Sequence, residues 1–185
     1  NVGTDSESAI TLPNNWEARH YQRDCWSHLS NGGRYTLVFG HRRWGKDDVA
    51  LHHTARSMYT RVGNYWHMLP EQAQARKAIW NAVNQHTGLR RIDEAFPLEL
   101  RRRTLDNEMM IEFDNGSIWQ VVGSDNFNSP VGSPPVGLVG SEWALAKLQA
   151  WAYLRPILAE NGGWALFITT PRGKNHAFEM YKYAK

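Results

Sequence analysis

The sequence has little cysteine, little net charge and no long apolar run. Cys25 is its single cysteine, so neither an intramolecular disulfide nor a thiolate cluster can be built, and the thiol reads as a half-buried structural group. No stretch approaches the roughly 18 apolar residues of a membrane span. Residues 1–20 lack both an initiator methionine and the basic, apolar run of a signal peptide, so the chain reads as processed or trimmed and not as membrane-anchored. The 21 Lys plus Arg exceed the 18 Asp plus Glu by only three, a net charge of +3 that permits a polyanionic partner without demonstrating one. His20, His41, His52, His53, His67, His86 and His176 form neither HExxH nor a cysteine and histidine grid, which argues against a dedicated zinc site.

What the sequence does contain is enough to fill a core. With 185 residues, 42% of them hydrophobic, one compact domain needs no disulfide or structural metal. The nine tryptophans are scattered among the predicted elements instead of being spaced as a base-stacking platform, so they read as packing residues.

Apolar patterning and turn residues divide the chain into alternating strands and helices. Residues 1–15 read as a flexible polar lead, followed by a short helix over 16–29 that Asn31, Gly32 and Gly33 stop. Tyr35–Phe39 is a compact strand ending at Gly40, and a helix runs from Lys46 to about Arg61 with Leu51, Ala55, Met58 and Tyr59 facing inward. A second unit repeats that architecture, with a strand over 64–69 and a helix over 71–85 whose inner face carries Ala75, Ile79, Ala82 and Val83. Asp114, Asn115 and Gly116 mark a hairpin turn between two apolar segments in 109–122. After a polar loop over 123–135, a buried strand over 136–139 enters Ser141 and Glu142. A helix over 144–160, which Pro156 should kink or end early, precedes a strand over 164–168, a polar loop over 169–176 and the opening of a last helix. This order predicts an α/β fold with a mainly parallel sheet flanked by helices, an antiparallel hairpin, and a ligand site at the carboxyl ends of the strands.

The candidate chemistry lies at those ends. Gly40, His41, Arg42, Arg43, Trp44, Gly45, Lys46 and Asp47 spell GHRRWGKD between a strand and a helix, the phosphate-loop pattern except at its last position, where Ser or Thr is expected. The loop through Asp48 curls its N–H groups and the helix N-terminus toward phosphate oxygens, while Lys46 places a positive charge near the β and γ phosphates. Asp47 would repel a triphosphate unless a cation intervenes. Ser141 stands where such a strand normally ends in a magnesium-organising Asp, so a hydroxyl and a carboxylate are exchanged across the site. Asp47 is then the expected magnesium ligand, directly or through water, with Ser141 in the outer shell. Glu142 is the expected residue that orients and activates water against the γ phosphate.

These motifs resemble the N-terminal ATPase domain of the large terminase subunit, the genome-packaging motor of tailed bacteriophages and herpesviruses. GHRRWGKD is similar to that family's arginine-bearing phosphate loop, LVGSEWA over 138–144 to its acidic strand end, and FITTPRGKNHAF over 167–178 to its coupling motif. WEARHYQRDCW over 16–26 resembles its adenine-contacting segment, and YWHMLPEQAQARKAIW over 65–80 its second strand and helix. The resemblance implies a P-loop NTPase of ASCE-like type over 16–185, using ATP and Mg2+. In that reading Gln22 recognises adenine with Tyr21 packed nearby, and Arg42, with Arg43 as its neighbour, senses the nucleotide or couples Glu142 to it. Thr169, Thr170 and Arg172 transmit loss of the γ phosphate.

The implied partners are double-stranded DNA, the portal protein and procapsid, the small terminase subunit, and further copies in a ring, with a monomer compatible in isolation; no membrane is involved. Arg90, Arg91, Arg101, Arg102 and Arg103 are candidates for a ring neighbour's arginine or for DNA backbone contact, against a solvated helix face or charge-balanced surface. The implied place of action is the host cytoplasm, docked transiently on the procapsid. The family's C-terminal nuclease is not expected in this chain, which stops too soon after Lys174. The alternatives are a helicase-like nucleic-acid translocase and a non-hydrolysing ATP-binding assembly module.

Overall fold

A computed structural model describes residues 9–128 and 133–184. Residues 1–8 of the expected lead and 129–132 of the expected polar loop lie outside them. The elements in chain order are α1 (Arg23–Ser30), β1 (Tyr35–Phe39), α2 (Lys46–Thr60), β2 (Asn64–Leu69), α3 (Gln72–Ala75), α4 (Arg91–Ala95), β3 (Arg101–Leu105), β4 (Met110–Phe113), β5 (Ile118–Gly123), β6 (Pro135–Ser141), α5 (Leu148–Asn161), β7 (Trp164–Thr169) and α6 (His176–Ala184). Among the described residues, seven strands form one sheet in the order β1-β7-β6-β2-β5-β4-β3. The first five strands of that order are mutually parallel, and β4 and β3 extend them antiparallel.

Burial explains which strands take the centre. β2, β6 and β7 are buried almost throughout, as expected of parallel strands covered on both faces. Gly140 in β6 gives the aromatic layer its room, because a Cβ there would sit 2.7 Å from the Trp143 ring and 2.9 Å from Phe167. Trp80, Trp119 and Trp143 are among the largest fully buried side chains. Trp80 stacks on Trp119, and Trp143 packs on Phe167.

The departures from the sequence expectation have local causes. The helix expected from Trp16 begins at Arg23, after a 3-10 turn over His20–Gln22. The helix expected to run to Gln85 stops at Trp80, its last turn widened into a π-turn over Arg76–Trp80 in which Asn81 N–H donates to Arg76 O. Trp80 sinks into the core, its indole N–H donating to Asp106 Oδ1 at 2.7 Å, while Val83 is exposed and bridges to Arg90. Arg101–Leu105, whose arginines suit a solvated helix face by composition, is the edge strand β3; charged side chains along an edge discourage pairing with another chain. The helix expected from Ala144 begins at Leu148, because a short 3-10 turn over Trp143–Leu145 comes first. Pro156 does not end α5, since Pro156 and Ala152, whose carbonyl loses its helical partner, both face solvent. Tyr59, expected inward, is 39% exposed and donates its hydroxyl to Asp114 Oδ1 at 2.6 Å.

Helix α2 carries two consecutive buried histidines with a pH consequence. His52 stacks on Trp16, and His53 meets Trp164 edge-on. Burial pushes their ring pKa values down from the ordinary 6.5, to about 4 for His52 and, with Arg56 assisting, to about 3 for His53. The folded state therefore holds both rings neutral where the unfolded chain protonates them. Their contribution to stability is intact above pH 6.5 and is lost on acidification from there toward pH 4 and pH 3, with a slope of up to about 1.4 kcal/mol per pH unit for each. The thermal midpoint should fall steadily between pH 6.5 and 5, and His52→Gln and His53→Gln should each flatten that slope. A midpoint independent of pH across this range would contradict the assignment.

Candidate active site

The carboxyl ends of β1, β6 and β7 meet at a cleft of about 490 Å³. Lys46, Asp47 and Glu142 line it, Arg42, Arg91 and Arg172 add three cations, and Gln74 and Ile79 stand on the α3 side. The loop between β1 and α2 is built by local geometry. Trp44 N–H donates to His41 O at 3.0 Å to close a 3-10 turn, and the His41 ring accepts from Arg43 N–H at 3.2 Å. Gly45 then turns the chain into α2 with φ +77°, a left-handed conformation that favours glycine. Lys46 is 7% exposed, and its Nζ donates to Gly40 O and His41 O, both at 2.9 Å, with Thr170 Oγ1 at 3.5 Å.

Asp47 is held from behind. Ser141 Oγ donates to Asp47 Oδ1 at 2.9 Å, and His67 Nε2 lies 3.3 Å from the same oxygen. Burial would raise the pKa of this carboxyl, but the His67 imidazole, the Ser141 hydroxyl and the Lys46 charge together outweigh it and hold Asp47 below the usual carboxylate range. The Asp47 side chain remains 40% exposed, so part of the carboxylate lies open to the cleft. Asp48 pairs with Arg91 of α4.

Glu142 sits at the end of β6 with φ 49°, a left-handed conformation strained for a non-glycine residue. Its Oε2 is buried and has no hydrogen-bond partner. A buried carboxylate oxygen without a partner is costly to keep, and it is chemically able to accept a proton or a hydrogen bond from a molecule in the cleft.

The end of β7 ties the two halves together. Gly40 N–H donates to Thr169 O at 3.1 Å, and Ala144 N–H donates to Thr169 Oγ1 at 3.2 Å. Thr169 is thus joined to the phosphate-type loop on one side and to the turn after Glu142 on the other.

The two residues named for the adenine segment lie against the loop and against Arg19. Gln22 is 2% exposed; its Oε1 accepts from Arg19 N–H at 2.9 Å and its Nε2 donates to Trp44 O at 2.7 Å. Both polar ends of the amide are engaged beneath the loop. Tyr21 accepts from Arg19 Nη1 at 2.7 Å, and its ring lies 6.0 Å from that of Trp44. Neither Tyr21 nor Arg43 is among the cleft-lining residues.

The five candidate arginines separate by partner. Arg90 pairs with Asp93 and lies over Trp80, Arg91 pairs with Asp48 in the cleft, and Arg103 pairs with Glu112. Arg101 is tied to Asp93 and to the Ile92 and Phe96 carbonyls, its side chain 3% exposed, which removes it as a contact for another molecule. Arg102 makes a long contact to Asp114 O at 3.4 Å. Sequence reasoning weighed His67 only among the histidines that form no zinc grid, and nothing along the chain signalled its contact with Asp47.

No protein-family model matches the chain. It is 26% identical over 170 residues to the large terminase subunit of Thermus phage G20c, covering 83% of this chain and 34% of that protein. The chain therefore spans about a third of the length of the curated relatives it matches. Among solved structures it is similar to the large terminase ATPase domain of Thermus phage P74-26, with a TM-score of 0.65 and 19% identity over 90% of this chain and 70% of that one. It is also similar to the large terminase of another thermophilic bacteriophage, solved in complex with ATP-gamma-S, with a TM-score of 0.61 and 15% identity over 85% of this chain and 39% of that one. The chain is accordingly similar in sequence to phage large terminase subunits and similar in fold to their ATPase domains.

Proposed function

We propose that residues 16–185 form a magnesium-dependent ATPase domain that powers translocation of viral double-stranded DNA into a procapsid. The observation that carries this reading is Lys46 and the strained, unsatisfied Glu142 lining one cleft with Asp47 beside them. The relatives supply the context: one of the similar structures is a complex with ATP-gamma-S, and the curated relatives are terminase large subunits.

In the proposed reaction the backbone N–H groups at the start of α2 and the helix dipole bind the phosphates. Lys46 exchanges the Gly40 and His41 carbonyls for β and γ oxygens. Glu142 Oε2 accepts a proton from the attacking water, raising its nucleophilicity as the bond to the γ phosphorus forms and the bond to the leaving ADP oxygen breaks. Arg42 and Arg172, both on the cleft, supply positive charge to the transferring group.

The donor set fits a hard divalent cation, since Asp47 leaves carboxylate surface on the cleft and the Ser141 hydroxyl stands directly behind it. Bound Mg2+ would neutralise charge on the β and γ phosphates, and Asp47 would hold it with Ser141 in the outer shell. We assign Thr169, Thr170 and Arg172 to coupling, because Thr169 ends β7 and joins the loop to the Glu142 turn, and Thr170 and Arg172 follow it. Gln22 is assigned to holding the loop in shape instead of reading adenine, because its amide is already engaged at both ends.

The proposed partners are double-stranded DNA contacted through phosphates, the portal and procapsid, the small terminase subunit, and further copies in a ring. The proposed place of action is the host cytoplasm, docked on the procapsid; no helix among the described residues is long and apolar enough to cross a membrane.

Hydrolysis by the wild type and Glu142→Gln, with DNA and procapsids supplied or withheld, tests the whole reading. Wild-type turnover stimulated by DNA and by procapsids without strand separation is expected, whereas Glu142→Gln should bind ATP normally and lose most turnover. Strand separation would favour a helicase-like translocase, and wild-type binding without turnover under complete conditions an assembly module. Asp47→Asn should sharply weaken the metal dependence of ATP binding, read by titrating Mg2+ against nucleotide affinity. For Gln22→Ala, affinity for ATP and GTP should drop together; a loss confined to ATP would restore the base-reading role.

A further inference from the structure

The buried imidazole of His67 is not used by the proposed reaction, yet it touches the site. Strand register brings it there. His67 of β2 pairs with Val139 of β6, so His67 lies on the same sheet face as Ser141, two residues further along β6. The N-terminus of α2 packs on that face through Val49 and Ala50, which cluster with Val139. Two neighbouring strands and one helix thereby deliver three side chains to one point.

Two features separate His67 from an ordinary core histidine. It is fully buried, at 0% exposure, and Asp47 Oδ1, 3.3 Å from Nε2, is the polar group it faces. The other nitrogen, Nδ1, has no hydrogen-bond partner. An aliphatic side chain would fill this interior strand position without leaving a buried nitrogen unsatisfied. The imidazole therefore contributes chiefly through what it does to Asp47.

With Nε2–H donating, His67 and the Ser141 hydroxyl together occupy the inner side of Asp47 Oδ1. That fixes the carboxylate plane from two directions and leaves the outer part of the group facing the cleft. Ligating carboxylates in metal sites are ordinarily oriented by such hydrogen bonds from behind. The neighbouring indole limits the ring's freedom, since Trp119 lies 6.1 Å away at 67°.

We propose that His67 is a positioning residue for Asp47, holding its carboxylate so that the outward oxygen is presented to the divalent cation of a bound nucleoside triphosphate. The proposal rests on the ATPase reading above and assigns this strand histidine a part in cation affinity. It also accounts for an acid at the position where Ser or Thr is expected: a carboxylate is longer than a hydroxyl, and needs a second donor to hold one orientation.

The test uses the chain with ATP-gamma-S and titrated Mg2+, reading nucleotide affinity, together with thermal unfolding and histidine 15N spectra of the nucleotide-free chain. In the wild type the His67 signal should report the Nε2–H tautomer. His67→Ala should raise the Mg2+ concentration for half-saturation about 10–100-fold, the range typical of losing an outer-shell partner. Its metal-free nucleotide affinity should be unchanged. His67→Gln, which can place an N–H near the same point, should recover part of the loss and guards against a folding defect in His67→Ala. In an Asp47→Ala background, His67→Ala should give no further loss of Mg2+ affinity, the non-additivity expected of residues acting through one another. Equal half-saturation in His67→Ala and wild type, or full additivity with Asp47→Ala, would overturn the proposal while leaving the ATPase reading intact. A wild type whose nucleotide affinity ignores Mg2+ would overturn the metal reading and this proposal together.

Discussion

A lysine ammonium that is 7% exposed must be surrounded by oxygens, and the site is built around meeting that demand. Lys46 finds two backbone carbonyls of its own loop and reaches toward Thr170. Those carbonyls converge only because the loop curls, which in turn needs the left-handed turn at Gly45 and the brace from Gln22 to Trp44 O. The brace is so close that a Cβ on Gly45 would lie 2.8 Å from Gln22 Nε2. Loop, brace and glycine are thus one unit. A buried ammonium resting on neutral carbonyls is also poised electrostatically, since anionic oxygens in the same place would satisfy it better.

Much of this was legible in the sequence, for reasons that differ by element. β2, β6 and β7 could be read because strands inside a parallel sheet need apolar side chains on both faces, and the runs in 64–69, 135–141 and 164–169 are short, apolar and bounded by turn residues; β1, half-buried at the sheet's other edge, showed itself by a run of the same kind in 35–39. β3 was hidden by the same logic reversed. An edge strand tolerates Arg101, Arg102 and Arg103, so its composition resembles a solvated helix face. The end of α3 was illegible because apolar periodicity continues through Ala82 and Val83, whereas the burial of Trp80 and its bond to Asp106 decide where the helix stops. Nothing local in the sequence announces a partner 26 residues away.

The candidate site shows the same division. The loop residues from Gly40 to Asp48 and the Ser141 and Glu142 pair carry spacing and context that can be read along the chain. His67 carries neither, because its relation to Asp47 exists only through the register of β2 against β6 and the seating of α2 on that face. Gln22 was named only through the resemblance, as an adenine contact, and neither its place beneath the loop nor the direction of its amide could be read along the chain. An Asn or Gln side chain serves a ligand or a backbone equally well by chemistry, and in the structure this one, 2% exposed, bonds the backbone at Arg19 and Trp44.

The position of β7 between β1 and β6 gives the two halves of the candidate site a common support. With β7 between them, Thr169 accepts from Ala144 N–H through its hydroxyl and from Gly40 N–H through its carbonyl, and Thr170 reaches toward the Lys46 ammonium. Any change in what Lys46 binds alters the charge beside Thr170, one residue from the atoms that hold the Glu142 turn. The next segment leads to α6, where the His176 ring bonds Trp143 O and Trp143 Nε1–H donates to Met180 Sδ at 3.0 Å. The route from the Lys46 ammonium to the last helix therefore runs through directly bonded or adjacent groups, and it passes through the turn that follows Glu142 before it leaves the sheet.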